Sequence, residues 1–281
     1  MAIKIVNDNY GKARVRLLKV DRRNDRHEIQ NITVKIALEG DFDEIHTVGD
    51  NSLCLPTDTM KNSVYALAAQ TTELEEIEDF GQRLANHFLV NNEQVSRVVI
   101  DISEHRFERM EFDDAEHEHS FVKGSNEKHI AKIDATLEKT VVESGIEDLI
   151  VLKTTRSGFA GYMKDPYTTL PETTDRIFST AVKAVWRYVG PDAASRETFL
   201  GIREIILKTF AAHDSLSVQH TLYAMGEAVL EEYGVVEEIA FSLPNIHYLP
   251  VDLTRFGLEN ENCIFLPTDE PHGLIEARLS R

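Results

Sequence analysis

Apolar and polar side chains alternate over residues 13–20 and again over 28–38, with Val15, Leu17, Ile32, Val34 and Ile36 among the apolar members. A period of two marks a strand with one face against a core, so these segments predict a long antiparallel pair. The polar run Asp21-Arg22-Arg23-Asn24-Asp25 between them predicts the hairpin loop. After Pro56 the period changes. Residues 57–70 predict a helix capped by Thr57 or Asp58, and Thr72 with Glu75 forms a capping box for a second helix reaching about Val90. Strand character returns over 95–107 through Val98, Ile100 and Ile102, and 116–122 offers it a partner.

The second half repeats this order. Strands are expected near 146–155 and 179–189, helices near 193–213 and 218–233, then strands near 236–247 and 262–268. Val98, Ile100 and Ile102 align with Ile239, Phe241 and Leu243 at one constant offset, which suggests an internal duplication. The expected architecture is α+β, with domains 1–140 and 141–281. Each would be a four-stranded antiparallel sheet with a helix pair on one face. The uncovered faces and edges invite pairing with other copies, which predicts a barrel assembled by oligomerisation.

Charge narrows the partners. With 48 acidic against 30 basic side chains, the formal charge of −18 repels phosphate backbones and anionic lipid at long range, so neither nucleic acid nor a membrane is expected. An anionic substrate would need local Lys or Arg against that background. Cys54 and Cys263 have no metal-ligand spacing and read as small buried hydrophobes. No run approaches the ~20 apolar residues of a membrane span. The start MAIKIVNDNY has no signal-peptide core and the end Leu279-Ser280-Arg281 is not the peroxisomal signal, so a cytoplasmic protein is expected. Neither GxGxxG nor GxxxxGK[ST] occurs, which disfavours nucleotide chemistry. His117 and His119, at i and i+2 of a strand, would share one face, and with His105 they raise a zinc reading against the ordinary one of a polar cluster.

Four separated segments carry a resemblance: Tyr10-Gly11-Lys12, Thr57-Asp58-Thr59-Met60-Lys61-Asn62, Tyr167-Thr168-Thr169-Leu170-Pro171-Glu172-Thr173-Thr174-Asp175-Arg176, and Ser242-Leu243-Pro244-Asn245-Ile246-His247. In their order and spacing the chain resembles the uricase (urate oxidase) family, bacterial-type. It departs from the family's usual residues at Ile246 and Phe107, neither of which carries the chemistry. The resemblance implies tandem tunnelling-fold (T-fold) domains in a homotetramer, with each active site between two subunits. Lys12, Thr57 and Asp58 would come from one subunit, and Phe159, Arg176, Val218, Gln219, Asn245 and His247 from its neighbour. It implies oxidation of urate by O2 with no metal and no organic cofactor, giving 5-hydroxyisourate and hydrogen peroxide.

These residue types suit that chemistry. Urate is a flat anion edged with carbonyl and N–H groups. A Phe159 ring, in a loop with Gly158 and Gly161, could stack on it for ~0.5–1.5 kcal/mol beyond burial. Arg176 offers a planar fork of donors, Gln219 an acceptor beside a donor, and Val218 a backbone N–H with an apolar wall. A cofactor-free oxidation requires urate to lose a further proton before it gives an electron to O2. Lys12, Thr57 and His247 are expected as the catalytic proton relay, and Asn245 with Thr57 as the groups that position O2 or water. Taken singly, each has an ordinary structural role: a solvated lysine, a helix cap, a strand histidine.

Overall fold

In the computed structural model, which describes residues 3–281, the alternating segments form strands and the helical segments cover them. The order is β1 (Tyr10–Asp21), β2 (Glu28–Gly40), a short α1 (Asp43–Thr47), α2 (Thr57–Ala69), α3 (Ile77–Asn91), β3 (Val95–Phe112) and β4 (Ala115–Ala135). There follow β5 (Thr140–Lys153), β6 (Phe178–Tyr188), α4 (Arg196–Ala212), α5 (Val218–Glu232), β7 (Val236–Pro250), β8 (Phe265–Thr268) and β9 (Leu274–Ser280). The chain forms two compact units, Met1–Gly145 with Arg187–Arg196, and Ile146–Trp186 with Glu197–Arg281. Among the described residues no helix is long and apolar enough to cross a membrane.

In the first unit the strands lie antiparallel in the order β1-β2-β3-β4. Three rows of buried side chains cross the sheet: Leu38, Val98 and Ala135; Ile36, Ile100 and Ile133; Val34, Ile102 and Ala131. Burying each large aliphatic side chain contributes about 1.5–3 kcal/mol, so a one-residue slip that turned the rows to water would be prohibitive. Helix α3 sets Ile77, Phe80, Leu84 and Phe88, spaced by three and four, against β3 and β4. Helix α2 contributes Met60, Val64 and Leu67 and packs on β1 and α3.

Two expectations fail at the helix starts. Helix α2 begins at Thr57 itself, with Pro56 at the cap position and no side-chain cap. The capping box does not form, because α3 starts only at Ile77. The Glu75 carboxylate is held by Arg83, whose Nε donates across 3.0 Å, and the Glu75 carbonyl accepts from Gln30 Nε2 at 2.7 Å. Strand β4 is also far longer than the expected 116–122, since it pairs with β3 on both sides of a register shift, Lys123 opposite Phe107 and Lys128 opposite His105.

In the second unit β7 is flanked by β6 on one edge and by β9 and then β8 on the other. Ile239, Phe241 and Leu243 pair with Leu279, Ala277 and Ile275, which gives the duplicated apolar triplet the same central place it has in β3. The sheet's fourth strand is thus Leu274–Ser280, whereas of the expected 262–268 only Phe265–Thr268 is strand. β9 escapes notice in the sequence because its inward residues are only partly covered and include the small Ala277. Helix α4 buries Phe199, Ile202, Ile206 and Phe210, and α5 buries Val218, Leu222, Met225 and Val229. Gly226 lets α5 lie close on β7 and β9, for a Cβ there would stand 2.9 Å from Leu279 Cδ2 and 3.3 Å from Phe241 Cε2. Each unit is therefore an antiparallel sheet with a helix pair on one face.

Candidate active site

Lys12, Thr57 and Asp58 belong to the first unit. β1 approaches β2 so closely at Gly11 that a Cβ there would fall 1.8 Å from the Ile36 carbonyl oxygen; only glycine fits. Directly after Lys12 the pairing shifts, with Arg14 at φ 58°, so Lys12 opposes Ile36 and Val15 opposes Val34. This bulge re-aims the strand at the lysine. Lys12 is half-buried and near enough to Asp58 for its charge to help hold that carboxyl below the usual range, after the hydrogen bond and charge of Lys61. Asn62 Nδ2 also donates to Asp58 at 3.0 Å. Thr57, at the first turn of α2, is half-buried. Among the described residues neither its hydroxyl nor the Lys12 ammonium makes a hydrogen bond or ion pair.

The other six expected residues belong to the second unit. Three loop segments are sewn together there by backbone bonds: Gly158 N–H to Ser215 O at 2.8 Å, Phe159 N–H to Thr173 O at 2.8 Å, and Arg176 N–H to Ser157 O at 2.7 Å. The Arg176 guanidinium lies over the Phe159 ring, 5.4 Å from its centroid. Burial pulls the Arg176 pKa down from its ordinary value, yet a guanidinium stays charged. Tyr162 stacks on Phe159 with centroids 4.8 Å apart and planes 15° apart, a support the sequence reading missed although it sits three residues on in the same loop.

The same stitching sets the start of α5. Ser217 caps the helix by accepting the His220 N–H at 3.1 Å, while Val218 and Gln219 occupy the first two helical positions. Their N–H groups have no partner within the helix and carry the positive end of its dipole. With Arg176, this is local positive charge in a chain of net −18.

Asn245 and His247 lie beyond the buried part of β7. They continue the parity of Phe241 and Leu243, hence the helix-covered face. Gly226 of α5 sits against Phe241. From there to Val218 is ~12 Å along the helix and from Phe241 to Asn245 is ~13 Å along the strand. The two run in opposite chain directions, so Asn245 comes level with the α5 start. It is held there by its N–H to Gly273 O at 2.8 Å, and His247 pairs opposite Thr268 where β7 changes partner from β9 to β8. The side chains of Gln219, Asn245 and His247 make no hydrogen bond among the described residues.

The histidine pair is adjacent, as strand spacing suggested: the His117 and His119 rings are 4.7 Å apart. His105 does not join them. Its Nε2 is 2.9 Å from Thr33 Oγ1 and it pairs opposite Lys128, well along the strand. Among the described residues no group of three or more His, Cys, Asp or Glu side chains is arranged to hold a metal ion.

A family model described as Uricase matches residues 8–134 and 142–276. The chain belongs to the uricase family. Among curated relatives, the Arthrobacter globiformis uricase is 42% identical over 277 residues, 98% of this chain and 89% of that one. The Dictyostelium discoideum uricase is 37% identical over 281 residues, 99% and 97% of the two chains. The crystal structure of the Arthrobacter globiformis uricase superposes with a TM-score of 0.95 at 40% identity, covering 100% of this chain and 96% of that one. The two family-matched segments correspond to the two sheet-and-helix-pair repeats, and the architecture is that of tandem T-folds. In this uricase-family chain the groups expected to handle substrate fall into two sets, one per unit.

Proposed function

We propose that the chain is a urate oxidase that converts urate, O2 and water to 5-hydroxyisourate and hydrogen peroxide without metal or organic cofactor. The observation that carries the reading is the Arg176 guanidinium over the Phe159 ring beside the capped start of α5, a cationic and aromatic cradle suited to a planar anion. Urate stacks on Phe159 and receives the Arg176 fork on one edge, with Gln219 and the Val218 N–H on the other. Asp58, at the first turn of α2, lies beside the relay and is a further contact for substrate.

Lys12, Thr57 and His247 take a further proton from bound urate, making it a better electron donor. Two electrons then pass from urate to O2, which takes up two protons and leaves as peroxide. Water adds to the oxidised ring as hydroxyl. Asn245 and Thr57 hold O2 or water over the ring. The division of these groups between two units supports sites completed across subunits of a homotetramer, whose edge strands and uncovered sheet faces close a barrel.

The test is to treat the purified protein with chelator, add urate, and follow oxygen uptake, loss of urate absorbance and peroxide release together. Coupled, metal-independent consumption is expected. Turnover that returned only with added metal would overturn the cofactor-free reading and direct attention to His117 and His119. Urate binding without oxygen uptake would leave a binding protein.

A further inference from the structure

The Tyr10 hydroxyl accepts a hydrogen bond from the Leu55 N–H at 2.9 Å, joining two short segments far apart in sequence. Tyr10 stands two residues before Lys12 and Leu55 two residues before Thr57. Pro56 has no N–H, so the Leu55 N–H is the last backbone donor before α2, and it is held by a side chain rather than by backbone. The Tyr10 ring is itself clamped, edge-on to the buried Phe42 with centroids 4.8 Å apart and planes at 86°. Gly11 in turn leaves β1 no slack against β2. We infer that Tyr10 is a positioning residue for the oxidation: its hydroxyl, by holding the Leu55 N–H, sets the separation of Lys12 from Thr57. The inference rests on the assignment of those two residues to the proton relay.

A control is built into the same pair of elements. Tyr65 of α2 donates to the Arg16 carbonyl of β1 at 3.3 Å, so it also ties this helix to this strand, but away from Lys12 and Thr57. Tyr10→Phe keeps the ring and its Phe42 contact and removes only the hydroxyl. Its kcat for urate oxidation is expected to fall about tenfold, since small misplacements of reacting groups cost large factors. KM should stay within about twofold, because binding of the ring depends on other residues. Tyr65→Phe should keep both constants. In the full-length wild-type protein the Leu55 amide should be protected from hydrogen exchange, and Tyr10→Phe should remove that protection.

Three results would overturn the inference. One is wild-type kcat in Tyr10→Phe; another is an equal loss in Tyr65→Phe, the mark of a merely structural tie. The third is a Leu55 amide that exchanges freely in the wild type, which needs no variant to fold. Lys12→Met and Thr57→Ala, assayed alongside, separate the failures. If both retain turnover, the relay assignment falls and takes this inference with it. If both lose turnover while Tyr10→Phe does not, the positioning role alone is wrong.

Discussion

Arg176 and Phe159 meet face to cation, with the guanidinium carbon 5.4 Å from the ring centroid, although they lie at opposite ends of the long loop between β5 and β6. The backbone bond from Arg176 N–H to Ser157 O and the bridge between Phe159 and Thr173 hold the two arms of this loop in register. Arg176→Ala should therefore leave the ring in place and remove the charge and fork. Urate affinity is expected to weaken by about 2–4 kcal/mol, tens to several hundredfold in Kd. Arg176→Lys should restore only part, because an ammonium offers no planar fork. Equilibrium binding of urate under anaerobic conditions reads the effect, and wild-type affinity in Arg176→Ala would remove this residue from the site.

Lys12→Met should bind urate and fail to turn it over, since the methionine keeps bulk but holds no proton. Undiminished oxygen uptake would exclude Lys12 from the relay. Because Lys12 and Arg176 lie in different units, and their sites are proposed to be completed between subunits, mixing and reassembling the two inactive variants should restore part of the activity. Mixtures that stay inactive after verified subunit exchange would argue that each site is built within one chain.

Gly11→Ala tests the strand geometry that presents Lys12. The added Cβ would meet the Ile36 carbonyl oxygen at 1.8 Å, and backbone cannot swing aside as a side chain can. A loss near the upper end of the 1–3 kcal/mol typical of overpacking, about 3 kcal/mol, is expected in chemical denaturation, together with loss of turnover. A variant as stable and active as wild type would show that β1 can shift on β2 without harm.

His129 is buried between two carboxylates, with Nε2 2.8 Å from Glu78 Oε1 and Nδ1 3.5 Å from Glu104 Oε2. Ser144 also donates to Glu78, and Arg196 lies 3.5 Å from Glu104. Burial works against a charged imidazole, but the hydrogen bonds and charges of Glu104 and Glu78 outweigh it and raise the pKa to about 9. Burial likewise opposes the Glu104 charge, yet His129 and Arg196 win and hold its pKa below the usual value. A raised histidine pKa contributes stability that is complete below its unfolded value near 6.5 and is lost as pH rises through about 9. The Glu104 contribution runs the other way and is lost in acid. On the order of 3 kcal/mol should therefore disappear between pH 6.5 and 9, and His129→Gln should flatten that slope. Identical melting profiles for the two proteins over this range would refute the assignment.

Much of this molecule is legible without coordinates because its cores repeat a simple signal. Val98, Ile100 and Ile102, and their counterparts Ile239, Phe241 and Leu243, alternate strictly and belong to the centre of each sheet. The helix stripes are as plain. The candidate site residues stand out only through whole segments such as Tyr10-Gly11-Lys12, not through any property visible in one residue. What escaped was weakly patterned: β9 has a half-covered face, and the polar middle of β4 reads as the end of a strand although pairing with β3 resumes beyond it at Lys128.

Sequence alone, then, determined the order of the strongly patterned elements, the duplicated core and the acidic balance that any anion-binding site must overcome, since period and charge are local properties of the chain. Tertiary structure decided what depends on partners distant in sequence. Glu75 is held by Arg83 instead of closing a capping box, and Arg176 is brought over Phe159 by the bond of its own N–H to Ser157 O. Tyr10 reaches Leu55 across forty-five positions because β1 and α2 pack side by side. Such contacts follow from where packed surfaces place a donor and an acceptor, which no spacing along the chain records.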